Sequence, residues 1–566
     1  MTRPRGFLRR AGLLAALLAL SACSITPPPP LVPATPGVTV VPKEKLNEVV
    51  VGVDEVKGGY NPHTLAAQST VTTALSSLLL PSAFRSNPDG SPSLDRTLLV
   101  GAEVTGAAPY TVTYTLRRDA SWSDAAPIAA EDFVYLWQRM RSEPGVVNPA
   151  GYRLISDIRS REGGKVVEVV FAEPYPAWRD LFRDLLPAHL LKDAPGGWSS
   201  ALTESFPATA GPFAVRTLDQ PRGEIILERS DRYWEQPAAL DRVILRRASQ
   251  SATLDALRSG DDQVALVRAD SITTTNLAKL AETTPLTTEA VPRGEVVQVL
   301  FRPASPNLAD VKVRTAVRAL LNRDELIGVG ARGGPGAALR ADSLVVPPSR
   351  PGYRATVPQD GVDAAALLTE AGLTRPDGGK WGRDGRPLQL VIAAPGGVEP
   401  YATIANQVQR QLSLSGIESE VLTTPPDELF GELLADPGGT GGQGDRTVDI
   451  AVVPLVGSGD SGTVLASAFG CPEPDNAGSS TTFPGNPAGF CDPAVQKIVE
   501  EALTGRLLLS DALAQVEPLL WQQAVSLPLF QVTDLLVVLP QAQGVATGAP
   551  FAGPLSGAAA WRREDR

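Results

Sequence analysis

Gly459-Asp460-Ser461-Gly462 sets a serine on a glycine-flanked turn with an acid beside it, a local setting in which a hydroxyl can act as a nucleophile. That chemistry needs a histidine base within hydrogen-bond reach and a carboxylate to orient the base. The 566-residue chain has two histidines, His63 in Asn-Pro-His and His189 in Pro-Ala-His, and neither stands in the setting such a base requires. A Gly/Ser turn after a strand is therefore the expectation for Ser461. Two histidines and three cysteines supply no zinc or redox-metal ligand set. Gly163-Gly164-Lys165 and Gly378-Gly379-Lys380 lack the upstream glycine and the Ser/Thr of a phosphate loop. No catalytic residue, cofactor or metal is expected.

The cysteines carry the remaining chemistry. Arg3, Arg5, Arg9 and Arg10 precede an apolar run from Ala11 to Leu20, and Leu20-Ser21-Ala22-Cys23 follows. A basic end, a short apolar core and small residues before a cut describe a secretory signal over 1–22. The run is too short to span a bilayer, which takes ~20 residues. Leu-Ser-Ala-Cys resembles the bacterial lipobox, which implies that Cys23 is diacylated and that the chain is cut just before it. An ordinary secretory peptide with an incidental cysteine is the alternative. Arg9-Arg10 lacks the rest of a twin-arginine motif, so the general secretion route is expected. Cys471 and Cys491 are then the two cysteines left in an oxidising compartment, which favours a disulfide between them. Closing a loop of that length contributes ~3 kcal/mol on the chain-entropy estimate. Two free buried thiols are the other reading.

The elements around these residues indicate the fold. Residues 23–45 form a lipidated spacer with prolines at 27 to 30, 33, 36 and 42, extended at ~3.1 Å per residue. Without the signal's four arginines the chain has 47 basic residues against 62 acidic ones, a net charge of −15, which repels nucleic acid and anionic lipid. The length beyond the spacer calls for two or three lobes. Val49 to Val53 reads as a strand buried on both faces, and Val112, Tyr114 and Leu116 as a half-exposed one. Phe133, Leu136, Trp137 and Met140 make one helical stripe. Strands are expected at 166–172, 224–229, 242–248, 263–267 and 296–301, and a helix over 310–327. A strand at 388–393, a helix at 401–414 stopped by Gly416 and extended chain at Val421-Leu422 form a βαβ unit. Asp492-Pro493 starts another helix, and Leu535 to Leu539 reads as a strand returning to the N-terminal lobe. The stretches 434–448 and 471–490 read as loops.

The stretch 110–140, YTVTYTLRRDASWSDAAPIAAEDFVYLWQRM, closely resembles the signature of the peptide/nickel-type (family 5) extracellular solute-binding proteins. Four further blocks match in order: Thr209 to Phe213, Arg229 to Trp234, Val311 to Leu326 and Ala366 to Gly372. The resemblance implies an α/β, two-lobed periplasmic-binding-protein-like fold (type II, peptide-binder class). Its discontinuous N-terminal lobe spans 46–292 plus 512–566, its second lobe 293–511, and a ligand cleft lies between them. The segments at 61–63, 78–85, 144–152, 173–182 and 187–197, with Phe469 to Asp492, are similar to a mycobacterial and actinobacterial lipoprotein subfamily. That subfamily is associated with phosphatidylinositol mannoside and lipoarabinomannan synthesis and is named for binding a monoacylated phosphatidylinositol tetramannoside.

What the resemblance implies is a non-catalytic, monomeric lipoprotein on the extracytoplasmic face of the cell membrane. Its partners would be a mannosylated inositol lipid or a glycolipid-synthesis membrane protein. An importer receptor serving an ABC permease is the alternative. The chain departs from the family where Ala125 replaces a glycine, and where Asp460 is the single acid near Ser458 in place of an aspartate-rich, amine-binding loop. Candidate ligand contacts are Tyr60, Asn61, His63, Gln68, Tyr175, Trp178, Ser458 and Asp460, amides and hydroxyls for sugar hydroxyls and rings for apolar sugar faces. For Tyr175 and Trp178 packing is the favoured reading, and for His63 a capped turn is an equal alternative. Trp122, Trp137 and Trp234 are expected in the core.

Overall fold

Val49-Val50-Val51-Gly52-Val53 has no polar face, and the strand it forms has none either. In the computed structural model, which describes residues 46–54, 57–219, 221–358, 361–435, 447–472 and 485–564, β1 (Glu48–Val53) is buried at all but its first position. The signal, Cys23 and the spacer lie outside the described residues, as do most of the 434–448 and 471–490 loops. After β1 come α1 (Thr70–Leu79), β2 (Leu99–Ala107), β3 (Tyr110–Leu116), α2 (Ala130–Ser142), β4 (Ile155–Arg161) and β5 (Val166–Phe171). β6 (Phe213–Asp219), β7 (Glu224–Arg229), β8 (Arg242–Arg247), β9 (Val264–Arg268) and β10 (Thr287–Phe301) follow. Then α3 (Val311–Ala319), α4 (Arg323–Ala331), β11 (Gln389–Pro395), α5 (Tyr401–Leu414), β12 (Glu418–Thr424) and β13 (Ile450–Val456) complete the α/β stretch. The chain closes with α6 (Ser461–Phe469), α7 (Pro493–Leu503), α8 (Leu509–Gln523) and β14 (Ser526–Val538).

One mixed sheet runs in the order β12-β11-β13-β10-β14-β9-β1-β8-β7-β6. β1 pairs parallel with β8 and β9, and β11 pairs parallel with β12 and β13, the geometry a helix crossover produces. A separate antiparallel sheet, β2-β3-β5-β4, packs its alternate residues inward, so Val112, Tyr114 and Leu116 are buried and the threonines between them are not. The large sheet is covered on both faces, which explains wholly apolar strands such as Ile450–Val456. Alternate residues of β13 serve different cores: Ile450 and Val452 join α3 and α5, while Ala451, Val453 and Leu455 join the larger N-terminal cluster.

Two long strands tie the molecule together. The first part of β10, Thr287–Pro292, pairs with Thr533–Val538 of β14, and Val296–Leu300 pairs with Ser526–Gln531. The register breaks between Pro292 and Val296, where proline has no N–H to donate and the intervening Arg293-Gly294-Glu295 bulges out of the ladder. The last residues of β14 pair with β9, beside β1, so the C-terminal strand does return to the N-terminal part of the sheet.

Local chemistry explains most element ends. α5 stops at Leu414, and Gly416 takes a φ of +84° as its cap. Asp492 caps α7, accepting from Ala494 N, with Pro493 at the first helical position. The expected 310–327 helix is instead two. The first ends at Ala319 with Leu320 as its C-cap, and Asn322 Oδ1 accepts from Glu325 N at 3.1 Å to start α4, while Asp324 and Glu325 favour the new N-terminus. Cys471 and Cys491 are joined by a disulfide, which fastens the chain before the 473–484 stretch to the start of α7. Among the described residues, no helix is long and apolar enough to cross a membrane.

Candidate ligand-binding cleft

A cleft of about 1080 Å³ opens among the 62–92 stretch, the 176–184 turn, the 349–351 and 458–460 loops and the C-terminal 544–557 segment. Hydroxyls line much of it, Thr72, Thr73, Ser76 and Ser86 among them, and Phe84, Pro550 and Phe551 add apolar wall. The 544–557 segment is rich in Gly, Ala and Pro, so its backbone can lie close to a ligand without side chains filling the space.

Asp89 and Asp184 of the cleft wall accept from Ser91 and Ser82 and form no ion pair among the described residues, and the other charged residues fall into two groups. In the first, charge is met within the protein. Arg85 pairs with Asp95 at 2.5 Å, Arg183 with Asp180 at 2.6 Å, and Asp460 Oδ2 caps α6 by accepting from Thr463 N at 2.9 Å. In the second, Arg179 stacks over the Trp178 ring at 4.2 Å and Arg350 donates to the Gly457 carbonyl at 3.0 Å. Neither of these two forms an ion pair among the described residues. Burial holds the Arg350 pKa below its ordinary value, against the opposing pull of Asp460 and Asp180.

Three of the expected contacts, Gln68, Ser458 and Asp460, line the cleft. Gln68 Nε2 is occupied by the Pro62 and Thr64 carbonyls at 2.9 and 2.8 Å, and Asp460 by its helix, so each has limited capacity left. Ser458 is positioned by Asn148, which donates to its carbonyl at 3.0 Å. Tyr60, Asn61, His63, Tyr175 and Trp178 are buried away from the cleft. Tyr60 packs on Phe206, and Asn61 Oδ1 accepts from His63 N at 3.1 Å while its Nδ2 has no partner among the described residues. The His63 ring bonds the Asp184 carbonyl at 2.9 Å, and burial lowers its pKa despite Asp184. Tyr175, 0% exposed, is hydrogen-bonded to Thr463 Oγ1 at 2.8 Å. Trp178, 3% exposed, sits edge-on to Phe84 and Tyr114. Both rings therefore pack, and burial removes the faces a sugar would need.

The Ser461 hydroxyl has no histidine bonded to it: His63 is held by Asp184, and His189 by Asp124 at 2.6 Å. Trp122 is fully buried, whereas Trp137 and Trp234 are partly exposed, with their indole N–H groups on the Tyr152 and Thr97 carbonyls.

The bulge in β10 carries a second charged group. Arg293 lies 2.8 Å from Glu295 and 3.9 Å from Asp534, and Thr70 of α1 donates to Asp534. Burial raises the Asp534 pKa to about 6 in spite of Arg293 and Thr70. A cavity of about 60 Å³ beside it is shared by Gln68, Arg293, Ser458, Asp534 and Phe551. Neither Arg350 nor the C-terminal wall was among the residues singled out from sequence. The one local signal for Arg350 is its Pro347-Pro348-Ser349-Arg350-Pro351 setting, which has no aromatic or amide side chain.

Residues 108–473 match the family model for bacterial extracellular solute-binding proteins, family 5, middle region. The protein named "probable monoacyl phosphatidylinositol tetramannoside-binding protein LpqW" of Mycobacterium tuberculosis is 36% identical, the match covering 97% of each chain. The oligopeptide-binding protein OppA of Mycobacterium bovis is 25% identical over 81% of this chain and 75% of its own. Among solved structures, the oligopeptide-binding protein AppA of Bacillus subtilis aligns with a TM-score of 0.71 at 17% identity, over 92% of this chain and all of its own. NikZ of Campylobacter jejuni aligns with a TM-score of 0.68 at 16% identity, with the same coverage.

Proposed function

The chain belongs to the bacterial extracellular solute-binding proteins of family 5 and has their α/β, two-lobed type II fold, and from that premise we propose that it is a non-catalytic, lipid-anchored envelope receptor for a mannosylated inositol lipid. The observation that carries this reading is 36% identity to LpqW over nearly the whole of both chains. The cleft supports it. Asp460, the acid of the 456–460 loop, already accepts from Thr463 at the start of α6, so it is only partly available to a peptide's amino group. The hydroxyl-rich wall and the small-residue C-terminal segment suit a ligand of sugar and lipid. We assign 46–292 with 512–566 to the N-terminal lobe and 293–511 to the second, with the bulge at Arg293–Glu295 as the natural hinge. Gln68, Ser458 and Asp460 are its proposed ligand-facing residues from the sequence, acting by their remaining acceptors and hydroxyl.

A receptor that hands peptides to an ABC permease is the second reading, favoured by the OppA identity. A thermal-shift measurement separates the two. Purified phosphatidylinositol mannosides raise the melting temperature of the protein from residue 43 onward more than di- to pentapeptides do. Stabilisation by peptides and none by the glycolipids would restore the importer reading.

A further inference from the structure

Arg350 stands between Pro348-Ser349 and Pro351, where fixed proline φ angles stiffen the backbone that presents it. It lines the cleft half-buried, and the Gly457 carbonyl is the protein acceptor its guanidinium meets. A guanidinium offers five N–H donors in a rigid fork. A cation withdrawn from water without a carboxylate beside it carries a desolvation cost, which an anionic ligand would offset.

The charges around Arg350 are already engaged. Asp180 holds Arg183, and Asp460 holds the first turn of α6. The loop carrying Asp460 and the turn carrying Asp180 meet here, since a methyl on Gly459 would stand 3.8 Å from Asp180 Oδ2. Arg350 is bonded to that same loop through Gly457. The neighbourhood therefore holds two carboxylates with partners of their own, Arg179 laid on the Trp178 ring, and the Arg350 guanidinium, which feels both carboxylates but forms an ion pair with neither.

Resting on the glycolipid reading above, we propose that Arg350 is the anion anchor of the cleft and takes the phosphodiester of the ligand through its free fork. A planar fork that can meet two oxygens of one phosphate at once fits this group better than an ammonium would. The polar wall then receives the sugar ring system on one side of the phosphate. The apolar C-terminal segment, with Phe551, receives the glyceride side.

The test uses the mature chain from Cys23 in detergent micelles, with binding read by calorimetry. The probes are a deacylated phosphatidylinositol mannoside that keeps its glycerophosphate diester, the same inositol mannoside without phosphate, inorganic phosphate, and a tripeptide as free acid and as amide. Wild type should bind the diester at least about tenfold more tightly than the phosphate-free glycan, the range expected for a charge-assisted contact. Arg350→Ala should abolish that ratio and leave the phosphate-free glycan unchanged, and Arg350→Lys should restore part of it. Arg350→Gln keeps a donor for Gly457 and replaces the alanine variant if that one does not fold. A ratio that survives in the alanine and glutamine variants overturns the anchor and leaves the glycolipid reading standing. Inorganic phosphate binding as tightly as the diester overturns the lipid as the source of the anion. Free-acid tripeptide binding that depends on Arg350, with no glycan binding, overturns both this assignment and the glycolipid reading.

Discussion

Asp534 shows how a single side chain can make this fold sensitive to pH. It is 6% exposed, faces Arg293 across the β10 bulge and accepts from Thr70, yet burial raises its pKa from 3.8 to about 6. Between those values the folded state holds a proton that the unfolded chain has lost, so this residue's contribution to stability falls as pH rises. A shift of that size corresponds to up to about 3 kcal/mol across the window. Asp534→Asn removes the titration and keeps a hydrogen-bonding group for Thr70. Other carboxylates titrate in both proteins, so the variant-minus-wild-type difference isolates this one. Urea unfolding at pH 4 and pH 8 should show that difference moving in the variant's favour by about 1–3 kcal/mol as pH rises. A difference that stays constant would mean that Arg293 holds the carboxylate at its ordinary value.

At the scale of elements, the molecule depends on a few places where backbone meets backbone. The Thr209–Phe213 turn lies against the end of α1, with Ala210 N donating to the Leu79 carbonyl at 2.8 Å. A Cβ on Gly211 would stand 1.9 Å from the Leu78 carbonyl oxygen and 3.0 Å from Leu79 Cα. These are main-chain atoms and cannot swing aside, so the turn or the helix would have to move. Gly211→Ala should cost at least about 2 kcal/mol in urea unfolding. Gly101→Ala on the edge strand β2 meets nothing within 4 Å and should stay within about 0.5 kcal/mol of wild type. Equal losses in the two variants would show that the close approach at Gly211 does not matter. The same scale explains the divided helix after β10. Its apolar stripe of Val313, Ala316 and Val317 runs on to Leu321, but Asn322 offers the backbone a cap, and capping outcompetes continuation there.

For the whole molecule, the proposed attachment is a lipid on Cys23 that tethers a two-lobed solute-binding fold to a membrane. Among the described residues no helix can span a bilayer, and the cysteine of the lipobox-like segment precedes a proline-rich spacer. The thioether-linked diacylglycerol proposed for Cys23 would be the anchor, with the spacer setting the cleft's distance from the surface. Intact mass of the purified protein should then correspond to a chain starting at Cys23 with added diacylglycerol. Cys23→Ala should lose that mass and move from the membrane fraction to the soluble one. Membrane association that is unchanged in the variant would require another attachment.

What could be read from sequence was whatever local periodicity and capping dictate. The buried run of β1, the alternation in β3, the stripe of α2, and α5 with Gly416 behind it all state their structure within a dozen residues. The pairing of Cys471 with Cys491 followed from there being two cysteines beyond Cys23. The first half of β10 was not legible, because Thr287–Pro292 is largely exposed, carries no apolar run and becomes a strand by pairing with β14, more than two hundred residues later. For Tyr175 and Trp178 the sequence favours packing but does not name the partners that bury them. A proline-flanked aromatic looks the same whether it faces a ligand or a core, and here Thr463, Phe84 and Tyr114 arrive from elsewhere to bury them. The cleft itself is a product of tertiary structure, since its charge balance depends on which arginines find carboxylates. Arg85 and Arg183 meet Asp95 and Asp180 close by in the chain, whereas Arg350 is carried to the loop at Gly457 and forms no ion pair among the described residues. Local preference is settled by neighbours in sequence, but burial and unpaired charge are settled by neighbours in space.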